Sequence, residues 1–240
     1  MKPALILVVL LTLADCSHEQ RVNAPLKGTA FGAAIVESSG GKQIAPAGTL
    51  LPLPLVVQVN DQKGNAVTGA GVEFSGPGSV VFDPPSGTTD SSGQLTTNVT
   101  LGDGAGRYEL TASTYDKSHN KVDLKLEEIA LDFQQVLGLK LNQHYCERCH
   151  NSESTPERVS NYDNLDVKPH AFTEGDYLNK MSDDDLGAIV SHGGPALNKS
   201  AQMPPYGYTL GRSEIQAILA YIRAIADPPR GGHGRTYARR

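Results

Sequence analysis

The segment Cys146-Glu147-Arg148-Cys149-His150 is the most informative stretch of this 240-residue sequence. Its two cysteines are three positions apart, so in a helix both thiols lie on one side of a single turn. A histidine, which is a common metal ligand, follows at once. Such a pattern occurs in zinc sites, in thiol–disulfide redox pairs and in the attachment segments of c-type haem. The rest of the chain distinguishes these possibilities.

The first residues of the chain are typical of an export signal. Lys2 supplies a positive charge, and residues 4–13 form an apolar run. This run is too short to cross a bilayer as a helix. We therefore assign residues 1–15 to a signal peptide and residues 16–27 to a linker. The sequence predicts that the protein works in the periplasm or at the cell surface.

The end of this signal, Leu13-Ala14-Asp15-Cys16, resembles a bacterial lipobox. The resemblance implies cleavage before Cys16 and lipidation of its thiol, which would anchor the protein to a membrane. Asp15 departs from the motif, which prefers a small residue there. Ordinary signal cleavage after Ala14 is the alternative. Both interpretations export the chain.

The cysteine content favours haem among the three possibilities. The chain has three cysteines, Cys16, Cys146 and Cys149. A zinc site requires further ligands, and no second set has the spacing for it. A redox pair would need a βαβ context, and a disulfide across this separation in a helix is sterically poor. We predict one covalent haem c on Cys146 and Cys149, with His150 as the proximal ligand of its iron.

The flanking residues resemble those of class I cytochromes c. Gly138 lies eight residues before the first haem cysteine, and Tyr221 lies in the last apolar segment. The resemblance implies that the two helices carrying them cross closely at this pair, where a side chain on the first helix would not fit. We assign residues 130–228 to an all-α cytochrome c domain. Asn142 and Asn151 depart from the family, which usually has an aromatic residue and a glycine at these places.

The segment Met203-Pro204 matches the distal loop of the same family. The resemblance implies that Met203 is the second axial ligand, and a soft thioether suits haem iron and raises its potential. With both axial positions filled, the site leaves no open position for peroxidase or gas-binding chemistry. The other candidate ligands are His144, His170, His192 and Met181. His144 lies too near the attachment turn to reach the far face of the haem, and His170 and His192 are predicted to be loop residues.

Two further sets of residues are candidates for the surroundings of the haem. Either Pro156 or Pro169 would offer the backbone carbonyl that orients His150, and the sequence does not choose between them. Aromatic side chains would exclude water from the haem. The candidates for this role are Tyr145, Phe172, Tyr177, Tyr206 and Tyr208.

The first half of the chain has a different pattern. Apolar residues alternate with others in four runs of strand length, at residues 53–59, 72–74, 95–101 and 108–112. Turns rich in glycine, proline and aspartate separate these runs. This pattern predicts an all-β sandwich. In contrast, helices are predicted over residues 131–145, 183–191 and 213–226, with the N-caps Ser182 and Ser213.

Several stretches of the β-rich half resemble the bacterial Ig-like domain (group 1) of invasin- and intimin-type surface proteins. They include Leu55-Val56-Val57-Gln58-Val59, Gly71-Val72-Glu73-Phe74 and Gly106-Arg107-Tyr108-Glu109-Leu110. We assign residues 28–129 to this sandwich. Tyr108 stands where such domains have a tyrosine whose hydroxyl bonds the backbone, and an ordinary half-buried strand tyrosine is the alternative.

Charge and motifs limit the function classes. A net charge of −5 without a basic stripe argues against nucleic acid as a partner, and residues 229–240 are predicted to be a disordered basic tail. The sequence predicts an electron carrier rather than an enzyme, with redox proteins as partners and the Ig-like domain as a spacer or docking module. The alternatives are an electron-acceptor subunit of a periplasmic dehydrogenase, an adhesin-like surface protein, and a haem sensor in which a small ligand displaces Met203.

Overall fold

The computed structural model describes residue 28, residues 30–152 and residues 159–230. Two largely antiparallel sheets form a sandwich in the first half of the chain. One sheet has the strand order β1 (Ala34–Ser39), β3 (Leu55–Asn60), β7 (Gln94–Thr100) and β5 (Val81–Asp83). The other has the order β2 (Ile44–Pro46), β9 (Lys121–Leu131), β8 (Gly106–Tyr115), β4 (Gly71–Ser75) and β6 (Ser86–Thr88). Only the β2–β9 pair among these strands is parallel.

The core of the sandwich follows from the alternation in its strands. Every second residue of β3 (Leu55, Val57 and Val59) is fully buried between the sheets. Tyr108 is also fully buried, and its hydroxyl donates a hydrogen bond to the Gly104 carbonyl at 2.7 Å. The predicted tie between this tyrosine and the backbone is therefore confirmed. Leu53 was predicted to belong to the same buried run, which is wrong, because it precedes the strand and is 60% exposed.

The helical half begins one residue after the last strand. Helix α1 spans Phe133–Tyr145 and is preceded by Asp132, which accepts a hydrogen bond from the Gln135 amide at 2.8 Å. The Gln135 side chain accepts in return from the Asp132 amide, which completes a capping box. The prediction that this helix starts at residue 131 is wrong, since Leu131 is the last, buried residue of β9.

The remaining α-helices are α2 (Glu147–His150), α3 (Gly175–Leu178), α4 (Asp183–His192) and α5 (Arg212–Ile225), and short 3₁₀ helices span Tyr162–Asn164 and Gly194–Leu197. Ser182 caps α4 as predicted, since its hydroxyl accepts from the Asp185 amide at 3.0 Å. The N-cap of α5 is Gly211 rather than the predicted Ser213. The reason is that the Glu214 carboxylate accepts from the Gly211 amide at 2.8 Å, which places the N-cap two residues earlier and the first helical residue one residue earlier than predicted.

Helices α1 and α5 cross in direct backbone contact. A Cβ atom added to Gly138 would lie 2.0 Å from the Ala217 carbonyl oxygen and 2.7 Å from Cβ of Tyr221. Only a residue without a side chain permits this approach. The predicted crossing of Gly138 with Tyr221 is therefore confirmed.

The sandwich and the helices pack against each other. Leu131 of β9 forms a buried apolar cluster with Tyr221 and Ile225 of α5. Partly buried side chains of both halves complete this interdomain cluster, namely Ile44, Ile129, Val136, Leu139, Phe172 and Ala224. The two halves thus share an apolar contact in addition to the chain connection. Within the described ranges, no helix has the length and apolar character that crossing a bilayer requires.

Some predicted segments lie outside the described residues. They are the signal peptide (residues 1–15) with Cys16, the rest of the linker (residues 17–27), and the basic tail beyond residue 230.

Candidate functional site

Cys146 and Cys149, the predicted attachment residues, lie at the joint between α1 and α2. Cys146 caps the end of α1, and its carbonyl accepts hydrogen bonds from the amides of Cys149 at 3.0 Å and His150 at 2.9 Å. Both thiols are free, and Cys146 is buried. Burial raises the pKa of Cys146 to about 12, and the charges of Glu147 and Cys149 add to this effect. A thiol–disulfide redox pair needs the opposite, a lowered thiol pKa.

The His150 imidazole is half-buried and packs against an aromatic ring. Its ring stacks on that of Phe172, with the centroids 4.5 Å apart and the planes inclined by 21°. Burial lowers the pKa of His150, which keeps the imidazole in the neutral form that binds metals. Its Nδ1 atom is buried without a hydrogen-bond partner among the described residues. A neutral, half-buried imidazole with a buried, unsatisfied nitrogen is suited to a ligand role.

The backbone next to His150 belongs to the segment around Pro169, one of the two segments considered for orienting this histidine. The backbone of His170, one residue after Pro169, raises the pKa of His150, and burial has the larger, opposite effect. Pro169 lines the cavity beside the histidine. The other candidate, Pro156, lies outside the described residues.

The distal segment is fixed by hydrogen bonds to α4 and α1. Met203 is half-buried and packs against the apolar core of the helical half. Its carbonyl accepts from the Gly194 amide at 3.1 Å. Three residues later, the Tyr206 amide donates to the Val190 carbonyl and the Tyr206 hydroxyl to the Tyr145 carbonyl, both at 2.9 Å. The loop carrying Met203 is thereby held at the end of α1.

Tyr206 connects this loop to the attachment cysteines. Its pKa is raised mainly by burial and further by the nearby thiols of Cys146 and Cys149. The structure therefore brings the Met203 loop and the attachment segment together, although they are more than fifty residues apart in sequence. Of the other predicted aromatic residues, Tyr145, Phe172 and Tyr177 pack against the same core. Tyr208 does not, because it is 98% exposed.

The rival ligands are less suitably placed. His144 and His170 are exposed, and Nδ1 of His170 contacts the Glu174 carboxylate at 2.6 Å. His192 is also exposed, and it is the last residue of α4 rather than a loop residue. Met181 is half-buried in the same apolar core as Met203, so burial alone does not separate the two methionines.

The donor set fits a haem better than a bare metal ion. Covalent attachment and axial ligation require two free thiols on one turn, a neutral imidazole and a thioether, and the structure has all of them. A zinc site would need more ligands, and the described part of the chain contains no group of three or more His, Cys, Asp or Glu residues that could hold a metal ion.

Asn142 is a feature that the sequence reasoning noted only as a departure from the family. It is 4% exposed, and its Oδ1 atom has no hydrogen-bond partner among the described residues. It borders a cavity of about 310 Å³ whose wall also includes Glu147, His150, Phe172 and Tyr221. The aromatic residue usual at this position would have filled part of this space. Burial is the main cause that raises the pKa of Tyr221 to about 12.

Comparison with known families agrees with this division of the chain. Residues 136–222 match the family model described as "Cytochrome C oxidase, cbb3-type, subunit III". Residues 52–126 match the model of the bacterial Ig-like domain (group 1). The protein thus combines a bacterial Ig-like domain of group 1 with a cytochrome c domain. A cytochrome c domain is a haem c-binding carrier of electrons.

Solved structures with similarity to the chain include adhesin domains. The D00–D0 domains of intimin are 18% identical over 40% of this chain and 46% of that chain, with a TM-score of 0.31. The D0–D1 domains of intimin are 19% identical over 43% and 49%, with a TM-score of 0.33. Invasin, an integrin-binding protein, is 17% identical over 40% and 19%, with a TM-score of 0.31. The chain thus spans less than half of each of these structures. No curated protein matches the sequence.

Proposed function

We propose that the protein is an exported monohaem cytochrome that passes single electrons between redox partner proteins. The observation that carries this proposal is the cytochrome c domain at residues 136–222, which contains the Cys-x-x-Cys-His segment once. The haem supplies a one-electron iron couple. Cys146 and Cys149 would hold it covalently, and His150 would bind the iron from the proximal side.

Met203 is the proposed second axial ligand. Its half-buried position in an apolar core and the hydrogen bonds that fix its loop support this role. An apolar environment excludes water, and a thioether ligand raises the reduction potential. A haem with both axial positions filled has no open position for a substrate, which favours electron transfer over catalysis.

Covalent attachment is tested first. The full chain is expressed in a host that matures c-type cytochromes, the protein is extracted with acidified acetone, and the haem that stays on the polypeptide is quantified. We expect one haem per chain in the wild type and none in the double variant Cys146→Ala/Cys149→Ala. Wild-type protein without covalent haem would refute the proposal.

The axial ligand is tested with a pair of matched variants. Met203→Ala is expected to lower the midpoint potential and to open the iron to carbon monoxide, because the soft ligand is lost. Met181→Ala removes the other methionine of the same apolar core and is the control, with an expected potential equal to that of the wild type. If the two variants behave in the opposite way, Met181 is the ligand.

Export and lipidation at Cys16 are proposed on the apolar run and the lipobox-like segment. Metabolic labelling with a fatty acid is expected to mark the wild type and not Cys16→Ala, and the variant should move from the membrane to the soluble periplasmic fraction. An unlabelled wild type found in the soluble fraction would favour ordinary signal cleavage instead.

A second candidate function is that of a haem-bearing electron-transfer subunit in a larger oxidoreductase. The family model that residues 136–222 match, which describes a subunit of an oxidase, favours it. In either case we propose that the Ig-like domain serves as a spacer or docking module. Purification of the full chain from its native membranes distinguishes the two functions, since a subunit would bring a stoichiometric catalytic partner with it.

A further inference from the structure

Arg107 is a buried charged residue that the proposed electron transfer does not itself use. It lies on β8 of the sandwich and is 5% exposed. Its guanidinium group donates hydrogen bonds to the carbonyls of Ala226 at 2.8 Å and Ala224 at 3.3 Å, at the C-terminal end of α5. It also forms an ion pair with Glu127 on the neighbouring strand β9. The sandwich therefore supplies a cation to the last turn of a helix in the cytochrome c domain, where carbonyl groups lack partners within the helix.

The residues that follow this helix end are bonded to the segment beside the haem site. The Asp227 amide donates to the Thr173 carbonyl at 3.0 Å, and the Gly175 amide donates to the Asp227 carbonyl at 3.0 Å. The approach is so close that a Cβ atom on Gly175 would lie 2.1 Å from the Pro228 carbonyl oxygen. The position of residues 173–175 thus depends on where α5 ends.

Phe172 completes the connection to the proposed iron ligand. It directly precedes Thr173, it packs in the interdomain cluster, and its ring stacks on His150 at 4.5 Å. The cavity beside His150 is walled by Phe172, Thr173 and Ile225, which belong to this connection. Continuous contacts therefore lead from the sandwich to the proximal imidazole.

We infer that Arg107 is a positioning residue for the proximal side of the haem, so that the Ig-like domain is part of the support of the redox centre. Arg107 fixes the end of α5, and the bonded residues 173–175 fix Phe172. Phe172 in turn holds the plane of His150 and covers one face of its ring. This inference rests on the proposed role of His150 as haem ligand. It predicts that a change in the sandwich alters the reduction potential without touching the haem.

The test uses the haem-loaded full chain with Arg107→Met, which keeps most of the apolar stem and removes the charge and the donors. We expect one covalent haem per chain, as in the wild type, and a lower midpoint potential, because water that reaches the loosened proximal side stabilises the oxidised iron. The Soret circular dichroism should change at the same time. Lys125→Met is the matched control, since Lys125 lies on β9 with its side chain 57% exposed and paired with Glu109. Its potential should equal that of the wild type.

The outcomes separate this inference from the function on which it rests. Wild-type protein without covalent haem refutes the proposed function. A haem-loaded Arg107→Met variant that has the wild-type potential and only unfolds at a lower temperature overturns the inference, because Arg107 then has a structural role alone. If this variant does not fold, Arg107→Lys decides, since lysine keeps the charge beside Glu127 but lacks the planar fork that reaches two carbonyls. A shifted potential in Arg107→Lys supports the inference, and an unchanged one overturns it.

Discussion

Replacing Gly138 with alanine is expected to push α1 and α5 apart. The new Cβ atom would lie 2.0 Å from the Ala217 carbonyl oxygen, which belongs to the backbone of α5 and cannot turn away. The contact has to open by roughly 1 Å or more before it reaches an ordinary van der Waals distance. Overpacking of this kind costs about 1–3 kcal/mol, and the rigid backbone oxygen places this case near the upper end.

Helix propensity acts in the other direction and has to be subtracted. Alanine is better than glycine inside a helix by about 1 kcal/mol. The net destabilisation expected for Gly138→Ala is therefore about 2 kcal/mol, which lowers the melting temperature by roughly 4–8 °C in a protein of this size.

Gly187 in α4 provides the matched control. A Cβ atom there would meet only a Leu219 methyl group, at 3.9 Å. Gly187→Ala should therefore stabilise the protein by up to about 1 kcal/mol through helix propensity alone. Both variants are measured by urea unfolding of the haem-loaded chain, followed by far-ultraviolet and Soret circular dichroism. If Gly138→Ala is as stable as the wild type, or if Gly187→Ala loses as much stability, the close helix crossing is not the reason for the glycine.

Three further predictions concern the sandwich and its connection to the helices. Glu128 is fully buried and accepts a hydrogen bond from the Gln43 amide. Burial raises the pKa of Glu128 to about 8. The native state therefore keeps a proton on this carboxyl that the unfolded chain releases above about pH 4.5. Stability should therefore fall between about pH 4.5 and 8, by on the order of a few kcal/mol, and Glu128→Gln should flatten this dependence in urea titrations at several pH values. Asp132→Ala should lower the free energy of unfolding by about 1 kcal/mol through loss of the α1 cap, whereas Asp132→Asn should be nearly neutral. His119→Gly should raise the free energy of unfolding by up to about 1 kcal/mol. The reason is that His119 has φ +63°, a backbone conformation that glycine adopts without strain.

Each of these three predictions has an outcome that would contradict it. Exposed Glu109 is the control for Glu128, and an equal flattening in Glu109→Gln would mean that the pH dependence is a general charge effect. Equal losses in Asp132→Ala and Asp132→Asn would exclude the cap as the cause. A destabilised His119→Gly would mean that the contact between His119 and the Phe31 ring, with centroids 5.3 Å apart, outweighs the backbone strain.

Local patterns in the sequence were sufficient for the parts of the fold that depend on neighbouring residues. The alternation in β3, β7 and β8 predicted their buried faces because side chains of a strand point to opposite sides in turn. The close crossing at Gly138 was predictable because only glycine fits between two such helices. The axial and covalent roles at Cys146, Cys149, His150 and Met203 remain predictions.

Errors occurred where a longer-range contact overrides the local pattern. Leu131 fits the helical pattern that follows it, yet pairing of β9 with β2 extends the strand to this residue. Ser213 is a good N-cap by residue type, but the contact of Glu214 with Gly211 starts α5 earlier. Tyr208 was one of the aromatic residues expected to line the haem site, and it is exposed to solvent instead.

The role of Arg107 could not be predicted from the sequence. An arginine in an alternating strand normally indicates a solvated position, since charged side chains are rarely buried without partners. Its partners here, the carbonyls of Ala224 and Ala226, lie more than a hundred residues further along the chain. They become visible only once the sandwich and α5 are placed side by side.

The burial of Cys146 constrains the order of events during biogenesis. Cys146 is only 9% exposed, and the Tyr206 hydroxyl donates to the carbonyl of the preceding residue, Tyr145. If a haem is attached to this sulfur as proposed, the bond between Tyr206 and Tyr145 has to form after the attachment or to open for it. The sandwich lies earlier in the chain and can already be complete at that time. The contact between Arg107 and the carbonyls of Ala224 and Ala226, in contrast, requires α5 to be in place.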